Sequence, residues 1–303
     1  MKNNKWLPLV SLLLIVGLLA ACGRASERNN EPAAGHEGHG GQAANNGDGA
    51  GSAGGGGHGD HGGGTQETGG KASGGVNATF GFVSGAAKAN EESELTIRIT
   101  GEDGEPINDF EVSHEKLLHL IVVNHDLSFF NHIHPDYVGE GKFTVKTSFP
   151  AGGAYKVFAD FIPSGGSSET ISEWIDVEGE EGKHAAIAPD AKLVKEAGGK
   201  EIELAMSGAK PGEETKLTFT IRDAATKEGI DDLEPYLGAV GHVVILSDDA
   251  ESYLHVHPLD EAATGPTAEF ATAFPRGGVY KIWGQFQHEG EVITVPFVVE
   301  VKS

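Results

Sequence analysis

Fourteen histidines stand in a chain that has one cysteine and two methionines, one of them the initiator. Those counts exclude disulfide frameworks, thiolate zinc sites and Met-rich copper(I) sites, and leave imidazole as the available transition-metal donor. The histidines are patterned. His119 to Pro135 reads H-L-I-V-V-N-H-D-L-S-F-F-N-H-I-H-P, and His242 to Pro258 reads H-V-V-I-L-S-D-D-A-E-S-Y-L-H-V-H-P. Without a gap, the two stretches share five of seventeen positions: three histidines, one aspartate (Asp126 and Asp249) and the proline.

The spacing has a geometric meaning. His132 and His134 flank one residue, as do His255 and His257. On a strand, such a pair leaves by one face, with origins roughly 6–7 Å apart, close enough to converge on one ion. His119 lies thirteen residues before His132. A hairpin turning around Asp126 brings it opposite the pair, provided that partnered residue numbers sum to 251 or 253. A sum of 252 sends His119 through to the other face. The same holds for His242 against His255 and His257, and Pro135 and Pro258 are expected to end their strands at the sandwich edge.

Three imidazoles with an open position suit zinc or copper(II), and copper(II) is held more tightly by the Irving–Williams trend. Asp126 and Asp249 are auxiliary candidates, to complete a shell or orient an imidazole, with turn formation as their competing role. His288 is a further auxiliary candidate. His114, His125 and His184 read as surface residues, and Trp174, Trp283, Phe158 and Phe161 as core. The competing account of all six strand histidines is structural hydrogen bonding around a hairpin.

The elements that must position these side chains come in duplicate. Ser84-Gly85-Ala86 recurs as Ser207-Gly208-Ala209, and Phe149-Pro150-Ala151-Gly152-Gly153-Ala154-Tyr155-Lys156 as Phe274-Pro275-Arg276-Gly277-Gly278-Val279-Tyr280-Lys281. Glu94 to Thr100 and Lys216 to Ile221 alternate with the period of a half-buried strand. Tyr155 to Phe161 and Tyr280 to Phe286 read as strands after Gly-Gly turns, and no stretch downstream of the leader has helical periodicity. The pattern predicts an all-β chain of two tandem immunoglobulin-like (or cupredoxin-like) β-sandwich domains over 76–180 and 181–303, with Tyr155 and Tyr280 as tyrosine corners.

Ahead of the repeats, residues 1–21 form a basic start and an apolar run typical of a signal peptide. Leu19-Ala20-Ala21-Cys22 resembles the lipobox of bacterial lipoproteins, which implies cleavage before Cys22, its acylation, and extracytoplasmic anchoring in the bacterial membrane. Residues 22–75 form a linker in which Gly23 to Gly75 holds 20 glycines, a composition that predicts disorder. Its His36, His39, His58 and His61 form two H-x-x-H elements that would collect a divalent ion weakly. The net charge of −23 excludes nucleic acid as a partner.

The H-x-H-P and F-P-x-G-G-x-Y-K-x-[FW] elements, at His132–Pro135 with Phe149–Phe158 and at His255–Pro258 with Phe274–Trp283, resemble the YtkA-like domains of secreted and lipid-anchored bacterial proteins. The resemblance implies an immunoglobulin-like sandwich, extracytoplasmic metal handling and no catalytic activity. The expected function is a lipid-anchored, non-enzymatic metal-binding protein that sequesters copper (or zinc) or hands it to an envelope transporter or chaperone. The alternative is an envelope protein–protein interaction module whose histidines are structural. No carboxylate pair, Ser–His–Asp spacing or phosphate loop supports an enzyme.

Overall fold

The computed structural model describes residues 68–71 and 75–303, with backbone only for residues 68–71, 255 and 257. These residues belong to one compact unit, Asp60–Ser303. The leader, Cys22, His36, His39, His58 and His61 lie outside the described residues. Among those described there is no α-helix, and so none long and apolar enough to cross a membrane.

The first copy contains β1 (Thr68–Lys71), β2 (Asn77–Phe82), β3 (Ala87–Lys88), β4 (Glu92–Thr100), β5 (Phe110–Glu111), β6 (Leu118–Asn124), β7 (Phe130–Ile133), β8 (Asp136–Gly139), β9 (Lys142–Ser148), β10 (Gly153–Pro163) and β11 (Glu169–Glu178). One sheet runs β1-β2-β4-β9-β8 and the other β3-β11-β10-β6-β7, with β5 on the end of β10. The short β3 lies parallel to β11 while its predecessor β2 pairs antiparallel with β4. A first strand shared between two antiparallel sheets in this order makes an immunoglobulin-like sandwich.

The second copy repeats the plan with β12 (Val194–Ala197), β13 (Lys200–Met206), β14 (Glu214–Asp223), β15 (His242–Ser247), β16 (Tyr253–Pro258), β17 (Thr267–Ala273), β18 (Gly278–His288) and β19 (Glu291–Val301). Here the two sheets join, because β16 pairs with β15 through Val256 and with β17 from His257 onward. In the first copy the same crossover is split into β7 and β8, with His134 and Pro135 between them. The H-x-H-P element is therefore the corner at which the chain passes from one sheet to the other.

Each sandwich has its own core. In β4 the alternating Leu95, Ile97 and Ile99 are fully buried, as are Leu217, Phe219 and Ile221 of β14. The tyrosine corners form as expected. Tyr155 Oη donates to the carbonyl of Ala151 at 2.9 Å, and Tyr280 Oη to that of Arg276 at 2.9 Å.

A third apolar cluster lies between the copies. Ile121, Val123, Leu127 and Phe158 of the first meet Val244, Leu246, Ala250 and Trp283 of the second. Phe158, Trp174 and Trp283 thus pack in or against this junction rather than inside a sandwich, whereas Phe161 lies in the first core. The contact is reciprocal. Phe130 stacks on Trp283 at 4.6 Å, and their repeat equivalents, Tyr253 and Phe158, stack at 5.2 Å. Lys156 Nζ reaches Glu251 at 2.7 Å, and the equivalent Lys281 Nζ donates to the carbonyl of Leu127 at 2.7 Å. Two like surfaces meeting in this way obey the logic of a two-fold interface.

Each tyrosine corner satisfies the hydroxyl of a buried tyrosine with a turn carbonyl. Tyr280→Phe is expected to destabilise the second sandwich by about 1–2 kcal/mol, and Tyr155→Phe the first by a similar amount. Denaturant unfolding of the full chain, followed at both midpoints, checks this.

Candidate metal centre

The strands that carry the first histidine of each triplet are buried on both faces. Leu118, Leu120 and Val122 of β6 enter the first core, while Ile121 and Val123 enter the junction. In β15, Val243 and Ile245 face the second core, and Val244 and Leu246 face the junction. His119 and His242 therefore share the junction-facing side, each 3% exposed.

Pairing of β6 with β7 sets Leu120 against Ile133 and Ile121 against His132, so partnered numbers sum to 253. This is one of the two registers that keep His119 on the face of the H-x-H pair. The strand β7 ends at Ile133, one residue short of His134. His119, His132 and His134 then converge, each offering a ring nitrogen, with these atoms all within 4.8 Å of one another.

Hydrogen bonding fixes which nitrogens face inward. His119 Nε2–H donates to the carbonyl of Ser113 at 2.9 Å, leaving Nδ1 as its lone-pair nitrogen when the ring is neutral. His132 Nδ1–H donates to Gln285 Oε1 at 2.7 Å, leaving Nε2. These two nitrogens lie 3.1 Å apart. With both rings neutral there is no proton between them, so a shared proton or a metal ion is needed to reconcile them. His134 Nε2 is buried with no hydrogen-bond partner. Burial, followed by the positive charge that His132, His119 and Lys116 can carry, pushes its pKa down to about 3. His134 is thus neutral, the form in which imidazole binds metals.

The Ser113 carbonyl is presented by a tight turn in which Ser113 and Lys116 exchange backbone hydrogen bonds, with His114 at φ 47° and Glu115 at φ 65°. Two side-chain-bearing residues held in the left-handed region store strain, a frequent companion of functional sites.

The second copy comes close to this group. The His242 ring stacks on His119 at 5.6 Å and lies 5.6 Å from His132. Gly241 lets the start of β15 lie close against β18: a Cβ there would lie 2.6 Å from the carbonyl oxygen of Gln285. His255 sits opposite Val244, in the register of the first copy displaced by the repeat, and the side chains of His255 and His257 are outside the described residues. Of the second trio only the His242 side chain is described, and it lies at the junction beside His119 and His132.

Some expectations need correction. His114 is no detached surface residue; its ring lies 4.6 Å from His242 and 6.2 Å from His119. His125 and His184 are exposed, as expected. Asp126 is no part of the trio: its carboxylate accepts from Ser128 N, Ser128 Oγ and Ala185 N. Asp249 likewise accepts from Ser247 Oγ, Glu251 N and Arg276. Both are turn residues. His288 is held by Asp232 at 3.1 Å, away from the trio. Gln285 and the Ser113 carbonyl were missed; the signal for Gln285 was a polar residue within the otherwise apolar run Ile282 to Phe286.

A pair of immunoglobulin-like sandwiches with buried imidazoles at their junction defines the class of the molecule. The chain belongs to the family described as Domain of unknown function (DUF8832), whose profile matches residues 72–179 and again 195–303. None of the curated proteins matches the sequence. Among solved structures, the chain is similar to FdeC, an Escherichia coli adhesin, with 14% identity, TM-score 0.25, and coverage of 75% of this chain and 64% of that one. It is also similar to domains 4 and 5 of the S-layer protein SbsC, with 13% identity, TM-score 0.21, and coverage of 75% and 98%.

Asp126 gives a pH prediction. Burial raises its pKa, but the hydrogen bonds from Ser128, Ala185 and Asn124 outweigh it and hold the value at about 2. A carboxylate depressed from about 3.9 contributes stability that is complete above that value and is lost as pH falls toward 2. Asp126→Asn should flatten the acid limb of the stability profile between about pH 4 and pH 2 and lower stability near neutrality, as read from urea midpoints across that range.

Proposed function

We propose that this is an extracytoplasmic, lipid-anchored protein that binds a divalent transition-metal ion, copper(II) ahead of zinc, through His119, His132 and His134. It stores the ion or passes it to a transporter or chaperone of the envelope. The observation that carries this reading is the pair of lone-pair nitrogens, His119 Nδ1 and His132 Nε2, turned toward each other at 3.1 Å by hydrogen bonds on their far sides. Metal-binding histidines are typically fixed through the opposite ring nitrogen by a carbonyl or carboxylate in this way.

The donor set fits the ion. Three neutral nitrogens with no thiolate suit copper(II) or zinc and leave coordination positions for water. His132 and His134 are half-buried while His119 is enclosed, so an ion has a route from solvent at the sheet corner. The likeness to YtkA-like domains rests in part on the H-x-H-P element that forms this corner, and supports the same reading. Cys22 supplies the anchor, and the histidines of the Gly-rich linker assist capture.

Two measurements test the proposal. A full-length chain with His36, His39, His58 and His61 replaced by alanine should retain copper(II) or zinc through desalting. His132→Ala or His134→Ala should weaken its affinity at least tenfold. A chain that refuses both ions at micromolar concentration refutes the metal reading and leaves the interaction module. Separately, Cys22→Ala should move the protein from the membrane fraction to the soluble fraction of the producing cell.

A further inference from the structure

We infer that the metal centre is assembled across the two copies: the second supplies Gln285 as the positioning residue of His132, and His242 as a fourth imidazole at the same centre. This rests on the metal reading above and deepens it, because it makes the docked pair of sandwiches, rather than either one, the binding unit.

Gln285 is 5% exposed, and both ends of its amide are engaged. Oε1 accepts from His132 Nδ1 at 2.7 Å, and Nε2 donates to Thr294 Oγ1 at 3.1 Å. Burying an amide in an apolar interface is unfavourable unless its hydrogen bonds are made. The bond to Thr294 holds the far end of the amide in place. With Nδ1 engaged by Gln285, His132 has Nε2 to offer an ion, so a residue 153 positions away in the other copy orients a first-copy ligand.

The repeat supports the assignment. Gln285 pairs across β15 and β18 with His242, and Asp160 pairs across β6 and β10 with His119. Asp160 is the repeat equivalent of Gln285 and is also buried, at 4% exposure. Both copies therefore place a buried side-chain oxygen acceptor at this position.

His242 completes the argument. Its ring is parallel to that of His119 to within 21° at 5.6 Å, and also lies 5.6 Å from His132. Imidazoles that share an ion through bonds of about 2.0–2.1 Å must have rings this near to one another. Because these contacts exist only while the sandwiches are docked, a bound ion stabilises the docking and the docking holds the ion.

The test uses the full chain with His36, His39, His58, His61, His125, His184, His255 and His257 replaced by alanine, so that copper(II) is directed to the junction group. Gln285→Leu should weaken copper(II) affinity about 10–100-fold. Gln285→Glu, which keeps the acceptor and mimics Asp160, should restore it to within a few-fold. His242→Ala should remove one nitrogen coupling from the electron paramagnetic resonance spectrum of the bound ion. Trp283 fluorescence reports whether each variant keeps the junction. Should the parent load while Gln285→Leu and His242→Ala load with unchanged affinity and unchanged nitrogen couplings, the cross-copy centre is refuted and the first-copy trio stands. A parent that takes up no ion refutes both. Loss in Gln285→Leu without rescue by Gln285→Glu assigns Gln285 to packing and overturns its positioning role.

Discussion

An imidazole hydrogen-bonded through one ring nitrogen must present the other, and the junction of this protein gathers such rings where backbone register prevents them from turning away. His119 is anchored through its far nitrogen to Ser113, and His132 through its far nitrogen to Gln285. Neither ring can rotate to relieve the approach of the other without giving up a buried hydrogen bond, a loss of about 1–3 kcal/mol per group. His134 cannot answer by charging, because burial and its neighbours hold it neutral. Two independent apolar cores make such a polar junction tolerable, since neither sandwich relies on it for its own packing.

Much of this was legible in the chain. Alternation in Leu95-Thr96-Ile97-Arg98-Ile99 and its repeat gave the core strands, because one face of an antiparallel sheet meets the core and the other meets solvent. The tyrosine corners followed from Tyr155 and Tyr280 coming directly after Gly-Gly turns. The hairpin register was limited to three sums by the period of two, and the observed 253 is one of the pair compatible with a shared face. The family match over residues 72–179 and 195–303 agrees with the internal repeat.

What went unread has a physical cause. The unbroken apolar runs Leu120 to Val123 and Val243 to Leu246 were read as strands, yet an antiparallel strand with no polar alternation is a strand buried on both faces. That second buried face is the junction, and it places Phe158 and Trp283 there instead of in the sandwich cores. His114 was taken for a surface residue because it lacks a histidine counterpart; its turn folds back over the cluster, a tertiary fact that local pattern does not carry. Asp126 had the sequence position of a ligand and the chemistry of a turn, and the nearby N–H and O–H donors of Ser128 decided between them.

The junction is symmetric in frame and asymmetric in lining, and the difference is informative. Phe130 on Trp283 and Tyr253 on Phe158 preserve the same stacking in both directions, so the docking geometry is common to the copies. Around the imidazoles the equivalents diverge. His114 stands where the second copy has Leu237, Ser113 where it has Tyr236, and Asp160 in the first copy where the second has Gln285. The two tight turns agree in backbone, with Leu237 at φ 54° and Gly238 at φ 78°, so this divergence belongs to the side chains. An aromatic ring at Tyr236, 6.0 Å from His242, shields the second half of the cluster, while His114 adds another imidazole over the first. A frame held constant by packing has thus been free to vary its polar lining, and that lining sets which nitrogens each half of the junction offers.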